Sequence, residues 1–217
     1  MNNKRKSLII QKTLNKIYPR VPVPLSYRNT FTLLISVLLS AQCTDVNVNN
    51  VTKGIYPKYN HPKHFVKLGR KKIERLIKKI GIFRVKAKSI YYLSKTLVEK
   101  YNSKVPNTYE ELEKLPGVGH KTASVVMSQG FGFPAFPVDT HIHRLAHRWG
   151  LSNGKNVQKT ERDLKSIFPE TAWNRLHLQI IYWGREHCQA RACLGLECRI
   201  CKTCYPKRKN PIRHKRG

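Results

Sequence analysis

Acidic residues are scarce in this chain: 12 Asp and Glu stand against 42 Lys and Arg among 217 residues, for a formal net charge of +30. Such an excess is typical of proteins that bind a polyanion, because lysine and arginine surfaces displace counterions from phosphate backbones. A basic protein of the membrane surface would also need an amphipathic anchor or a lipidation motif, and the sequence contains neither.

Long apolar runs are missing as well. The longest, Phe31 to Cys43, contains a threonine and two serines and is too short to span a bilayer. The basic residues 4–6 precede apolar residues 8–10, as in a signal peptide, but no small-residue cleavage site follows. We therefore expect a soluble, cytoplasmic protein without a membrane segment. Its length allows a substantial core in one domain or two small lobes.

Cysteine is rare outside one short segment. Of the 6 cysteines, Cys43 stands alone and the others lie between Cys188 and Cys204. A disulfide framework in a small secreted protein is normally spread along the chain. A tight cluster in a cytosolic protein instead indicates a metal or iron–sulfur site.

Apolar residues recur at helical spacing along most of the chain, which predicts an all-α protein. Ile73 to Ile80 form one such stripe, and Gly81 follows where a left-handed C-cap would fall. Residues 176–182 also fit an alternating strand, but no partner strand is evident, so a helix is predicted there. The last residues, 205–217, are basic and contain proline, and we expect a disordered tail.

The segment from Leu115 to Ala123 is the most informative. An apolar helix predicted over Thr108–Leu115 is stopped by Pro116. Gly117 and Gly119 then permit conformations closed to residues with a Cβ and a close approach of another backbone. A second helix begins at once, so its first amides form an anion site. The pattern predicts a helix-hairpin-helix that binds a DNA phosphate; the alternative is an ordinary helix–helix turn, which the net charge disfavours.

Lys121 and Asp139, which both follow this turn in the sequence, are candidate catalytic residues. Lys121 is either a solvated lysine or a nucleophile beside a bound backbone, and an amine attacks carbon well only in its neutral form. Asp139 precedes an apolar-periodic segment from Ile142 to Trp149. It is therefore an N-cap, a catalytic carboxylate, or both.

In their order and intervals these segments resemble the endonuclease III family of DNA glycosylases, the helix-hairpin-helix group with a Gly/Pro-rich loop and a downstream aspartate. The resemblance covers nearly the whole chain, from about Lys12 to Cys204. It is carried by the following segments: Leu38–Asp45, Ile80–Ala87, Leu115–Ala123, Val138–Ile142 and the cysteine cluster.

The resemblance implies a two-lobed, all-α helix-hairpin-helix glycosylase fold with a C-terminal cluster loop ligated by cysteines. Residues 22–134 would form a six-helix barrel lobe, residues 1–21 with 135–187 a second helical lobe, and residues 188–204 the cluster loop. DNA would lie in the cleft between the lobes. We expect a monomer that binds duplex DNA containing damaged bases or abasic sites.

The resemblance also assigns roles to single residues. Lys121 matches the catalytic lysine and Asp139 the catalytic aspartate. Five further residues are expected at the DNA: Gln42, Ile82, Gly117, Gly119 and His141. Of these, Gln42 would fill the gap left by the flipped nucleotide, and Ile82 matches an apolar wedge where the family more often has leucine.

The implied activity is base excision repair by a bifunctional enzyme. It would remove oxidised pyrimidines as a DNA N-glycosylase and nick the strand by β-elimination through a lysine Schiff base as an AP lyase. One alternative is a monofunctional adenine or mismatch glycosylase, which uses the aspartate and water and typically lacks a lysine at Lys121. The other is a non-enzymatic DNA-binding module, which needs neither Lys121 nor Asp139.

The family binds a [4Fe–4S] cluster through four cysteines spaced C-x6-C-x2-C-x5-C. Three cysteines here match its first, third and fourth positions: Cys188, Cys198 and Cys204. Gly195 takes the second position, so Cys193 or Cys201 must replace it. Cys201 is favoured, because the segment from Cys198 to Cys204 then brings three thiolates together in one short loop. Four-cysteine zinc is the alternative metal site.

Overall fold

The computed structural model describes residues 1–212, and the chain divides into two compact units. The first unit joins Met1–Pro22 to the residues from Pro134 onwards, and the second unit is Val23–Phe133. Residues 1–212 are helical without a strand, which confirms the all-α prediction. Their α-helices are α1 (Asn3–Ile17), α2 (Thr30–Ser40), α3 (Asp45–Thr52), α4 (Pro62–Leu76), α5 (Phe83–Lys100), α6 (Tyr109–Glu113), α7 (His120–Val125), α8 (Thr140–Trp149), α9 (Val157–Ile167), α10 (Trp173–Glu186) and α11 (Arg199–Cys204).

The second unit is built around α2, which is buried along nearly its whole length. A capping box starts this helix: the Asn29 side chain accepts from the Thr32 amide at 2.9 Å, and the Thr32 hydroxyl accepts from the Asn29 amide at 2.9 Å. The start of the helix is therefore fixed by local chemistry. Its other end, at Ser40, leads directly into Gln42.

The connection between α4 and α5 differs from the sequence prediction. The helix ends at Leu76, and Ile77 to Ile80 form a turn that still buries both isoleucines. The left-handed residue is Ile82, with φ 49°, and not Gly81. Burial of the two isoleucines thus sets the path of the turn, and the chain reverses one residue later than glycine propensity predicts.

The first unit has a core that includes the fully buried Trp149 and Trp183. Ile10 and Leu14 of α1 belong to it, so the N-terminal apolar segment is a core helix. All cysteines from Cys188 to Cys204 belong to the same core. The helix predicted over residues 176–182 is present as part of α10.

Part of the expected basic tail is well packed. Arg208 donates to the carbonyl oxygens of Arg148 at 2.7 Å and Gly195 at 3.1 Å, and its guanidinium carbon lies 3.8 Å from the centroid of the Tyr205 ring. These contacts of Arg208 hold the segment 205–212 against the cysteine-containing core. Residues 213–217 of the predicted tail lie outside the described residues.

Within residues 1–212, no helix combines the length and the apolarity that crossing a membrane requires.

Candidate active site and metal centre

The predicted hairpin is formed by α6 and α7. Thr108 caps α6 by accepting from the Glu111 amide at 3.3 Å. At the other side of the turn, the His120 ring nitrogen Nδ1 lies 2.8 Å from a Glu113 carboxylate oxygen, and its ring stacks on Tyr109 at 5.4 Å. These contacts join the first residue of α7 to α6, so the turn between them has a fixed geometry.

The two glycines of the turn differ in backbone conformation and in the space around them. Gly117 has φ +80°, and a Cβ there would lie 2.8 Å from the side chain of Ser89. Gly119 has φ −102°, which any residue adopts, and nothing lies within 4 Å of the position of its missing Cβ. Gly117 is therefore required by the fold, whereas the open space at Gly119 suits the approach of a ligand.

Lys121 is the second residue of α7 and is exposed. The helix is anchored behind it by the fully buried Ala123, and it continues into a π-helical turn over Val126–Gly130. The backbone of Lys121 is therefore anchored to the buried core of the second unit, two residues beyond the glycine turn.

Asp139 is the N-cap of α8 in the first unit. Its Oδ1 accepts from the Ile142 amide at 2.8 Å, and the residue is half-buried. The cap uses one carboxylate oxygen, and a carboxylate has a second that can act elsewhere. His141 follows on the same helix, with Nδ1 3.3 Å from Nη2 of Arg144.

Gln42 and Ile82 are brought together in the second unit. Both are exposed, and both have left-handed backbones, with φ 53° and φ 49°. The carbonyl oxygen of Gln42 lies 3.6 Å from the position that a Cβ on Gly81 would take. The two expected DNA-contacting residues thus stand on adjoining loops.

Four cysteines form a compact thiol group: Cys188, Cys193, Cys198 and Cys201. All are buried, and their sulfurs lie within 4.8 Å of one another. This differs from the expected set in one member, because Cys193 is in the group and Cys204 is not. The chain reaches this arrangement through left-handed backbones at Leu194 and Gly195, with φ 47° and φ 83°.

The chemistry of the thiol group suits a metal centre. Thiolates are the ligands that zinc and iron–sulfur clusters share. Hydrogen bonds among the four thiols lower the pKa values of Cys193 and Cys198 and raise those of Cys188 and Cys201, so the group shares its protons. Burial raises the pKa of Cys204, outside the group, to about 11. Four sulfurs around one tetrahedral zinc lie about 3.8 Å apart, and the sulfurs of Cys188 and Cys201 are 3.9 Å apart.

Two buried arginines beside the thiol group were missed by the sequence analysis. Arg144 donates to the carbonyl oxygens of Gly184 at 3.1 Å and Cys188 at 3.0 Å. Arg148 donates to those of Gln189 and Ala190, each at 2.8 Å. Burial lowers the pKa of Arg144. Their spacing of four residues could have indicated their burial, because it places both arginines on the same side of α8 as its apolar stripe.

Comparisons with known proteins agree with this geometry. Residues 35–170 match the model of the "HhH-GPD superfamily base excision DNA repair protein" family. The chain is 41% identical to Endonuclease III of Bacillus subtilis over 96% of this chain and 95% of that protein. Its structure is similar to that of a non-covalent Endonuclease III–DNA complex, with a TM-score of 0.86, 38% identity and coverage of 94% of this chain and 98% of that chain. It is also similar to a trapped Endonuclease III–DNA covalent intermediate, with a TM-score of 0.85, 41% identity and coverage of 94% and 99%.

The glycine turn yields a test of stability. Gly117→Ala should lower the free energy of unfolding by about 2 kcal/mol or more, because alanine is strained at positive φ and its Cβ would collide with Ser89. Gly119→Ser is the matched control, since serine fits that backbone and is a good N-cap. Thermal and urea unfolding should therefore separate the two variants. Equal stabilities would contradict the assigned role of Gly117.

Proposed function

Because this chain belongs to the HhH-GPD superfamily of base excision DNA repair proteins, we propose that it is a bifunctional DNA N-glycosylase and AP lyase that acts on oxidised pyrimidines. The observation that carries the proposal is the position of Lys121, exposed in the first turn of α7 and two residues after the glycine turn. A monofunctional glycosylase uses water and has no need of this amine. The similarity to a trapped covalent Endonuclease III–DNA intermediate supports a mechanism through a covalent adduct.

The reaction begins with extrusion of the damaged nucleotide, since a base inside the stack is out of reach. Flipping costs a few kcal/mol. In the proposal, Gln42 and Ile82 enter the duplex and occupy the vacated space. The glycine turn and the first amides of α7 hold a backbone phosphate near the lesion.

Lys121 then supplies the nucleophile. Its neutral Nζ forms a bond to C1′ of the sugar while the bond from C1′ to the damaged base breaks, and the base leaves with the bonding electrons and a proton. The bond from C1′ to the ring oxygen O4′ then breaks, O4′ takes up a proton, and the opened sugar carries an iminium between Nζ and C1′. This Schiff base acidifies the protons on C2′, and removal of one expels the 3′ phosphate by β-elimination.

Asp139 has two compatible uses in this scheme. One carboxylate oxygen caps α8. The carboxylate also accepts a proton from the attacking amine and stabilises positive charge that develops on the sugar. A cap thus fixes the orientation of the catalytic group.

We further propose that the thiol group binds a [4Fe–4S] cluster through Cys188, Cys193, Cys198 and Cys201. The cluster would cross-link the loop and support its basic side chains, at Arg191, Arg199 and Lys202, against DNA phosphates. Its role is structural, and no step of the reaction passes through it. The short distance between the Cys188 and Cys201 sulfurs also suits zinc, which is the alternative metal at this site. Cysteines that form no disulfide fit a cytoplasmic location, where thiols stay reduced.

The nucleophile is tested by Lys121→Gln. Nicking of abasic-site DNA should disappear, while duplex binding remains within about threefold, because the phosphate contacts come largely from backbone amides and other basic residues. Lys114→Gln is the control, since Lys114 is an exposed lysine of the same hairpin, paired with Glu110. Strand nicking by Lys121→Gln at the rate of the control would overturn the mechanism.

The aspartate is tested by separating its two uses. Asp139→Asn keeps an oxygen for the cap, so stability should stay near that of the wild type, while base excision falls by about 100-fold or more. Asp139→Ala loses the cap as well and should cost about 1 kcal/mol of unfolding free energy. If Asp139→Asn retained full excision, Asp139 would be a cap and nothing more.

The metal centre is tested by paired cysteine variants. Anaerobically purified wild-type protein should be yellow-brown with about four irons per chain. Cys193→Ser should lose colour and iron, whereas Cys204→Ser should keep both, because Cys204 is outside the thiol group. The opposite pattern would restore Cys204 as a ligand. Colourless wild-type protein with one zinc per chain would replace the cluster by zinc.

A further inference from the structure

Lys86 is a buried lysine that the proposed chemistry does not use. Its residue is 3% exposed, and no ion pair among residues 1–212 includes it. Its Nζ instead donates to the carbonyl oxygens of Leu39 at 2.9 Å and Ala41 at 2.6 Å. A buried cation is tolerated only when hydrogen bonds compensate its lost hydration. Here the compensation comes from the end of α2, one residue before Gln42.

The backbone of Lys86 belongs to the first turn of α5, which begins directly after Ile82. Its amide donates to the carbonyl oxygen of Ile82 at 3.2 Å, as the first hydrogen bond of the helix. One residue therefore binds the loop of Gln42 through its side chain and the loop of Ile82 through its backbone. Because both contacts are short-range and directional, the distance between the loops is coupled to the position of Lys86.

A second bridge joins the same loops. Nδ2 of Asn47 lies 3.2 Å from the Cys43 sulfur and donates to the Lys79 carbonyl oxygen at 3.0 Å. Cys43 directly follows Gln42, and Lys79 lies three residues before Ile82. Lys86 and Asn47 therefore each connect the loop of Gln42 to the loop of Ile82, through different residues.

The backbones held by these contacts are strained. Gln42 and the β-branched Ile82 both have positive φ, which costs about 1–2 kcal/mol for each residue with a Cβ. Ile82 is also 54% exposed although it is apolar. Such conformations persist only where the surroundings determine them. Lys86 and Asn47 supply hydrogen bonds beside both of these backbones.

We propose that Lys86 is a positioning residue, which holds the loops of Gln42 and Ile82 in the arrangement that lets both side chains enter the duplex when the damaged base is flipped. The inference rests on the proposed function, because it assumes that these two side chains fill the DNA stack. Lys86 itself contacts neither the DNA nor the reacting atoms. It acts through the two loops, before the chemical step.

This role predicts a difference between two substrates. Excision of a damaged base from duplex DNA needs the base to be flipped and the gap to be filled. Nicking at an abasic site in single-stranded DNA uses the lysine chemistry but has no stack to fill. Loss of Lys86 should therefore impair the first reaction and spare the second, whereas a general loss of folding would impair both.

The experiment compares Lys86→Met with Lys88→Met, an exposed lysine two residues away on α5. Single-turnover excision from a lesion-containing duplex should fall by about tenfold or more in Lys86→Met, because small misplacements of positioning groups have effects of this size. Nicking of single-stranded abasic DNA should change by less than about twofold. Lys88→Met should match the wild type in both assays. Wild-type excision by Lys86→Met, or an equal fall on both substrates, overturns the proposal.

A double-mutant cycle tests whether Lys86 acts through Gln42. Gln42→Gly keeps the positive φ but removes the side chain. If Lys86 positions that side chain, Lys86→Met should have at most about half its effect, in free-energy terms, in the Gln42→Gly background. Additive effects contradict this coupling. Wild-type excision by Gln42→Gly alone would instead remove gap filling by Gln42 from the proposed function, which is a separate failure.

Lys86→Arg guards against a variant that does not fold. It keeps a cation for the carbonyls that end α2, while the longer guanidinium shifts their position. Excision from the lesion-containing duplex should again fall, by less than in Lys86→Met, while nicking of single-stranded abasic DNA stays unchanged. Where Lys86→Met does not fold, wild-type rates of Lys86→Arg on both substrates would overturn the role of Lys86.

Discussion

Three helix C-termini in this protein are bound by buried or half-buried cations, and the proposed role of Lys86 depends on that interaction. Lys86 binds the last carbonyls of α2, Lys6 and Arg208 bind those at the end of α8, and Arg144 binds that of Gly184 near the end of α10. A helix C-terminus carries partial negative charge, so it compensates a cation where a carboxylate is missing. In a chain with 12 acidic residues and a net charge of +30, this is the available way to bury basic side chains.

Two of these helix ends precede a segment with a proposed role. The end of α2 leads to Gln42, and the end of α10 leads through Cys188 into the thiol group. Arg148 extends the same principle, because its guanidinium binds carbonyls of the loop beside that group. Basic side chains thus act in two places. On the surface they attract DNA phosphates, and inside the fold they bind the carbonyls of backbone segments next to the proposed functional side chains.

Features determined by local chemistry were predictable from the sequence. The hairpin follows from Pro116 and the two glycines, and the cap at Asp139 follows from a short polar side chain before an apolar stripe. The family resemblance added catalytic roles for Lys121 and Asp139, and these stay predictions. These inferences need only neighbouring residues, and packing elsewhere does not alter them.

Features determined by packing were not predictable. Propensity places the left-handed residue at Gly81, yet burial of the preceding turn moves it to Ile82. Spacing favours Cys204 in the thiol group, yet the path through Leu194 and Gly195 brings in Cys193. The buried roles of Lys86, Arg144 and Arg148 were missed because charged residues are normally exposed, and the carbonyls that hold them are distant in sequence.

The proposed mechanism requires that the amine of Lys121 becomes covalently bound to DNA. This bond can be observed by incubating the protein with abasic-site duplex, reducing with sodium borohydride, digesting, and locating the adduct by tandem mass spectrometry. A reduced Schiff base on Lys121 is expected. The absence of a trapped complex, or an adduct on another amine, would contradict it.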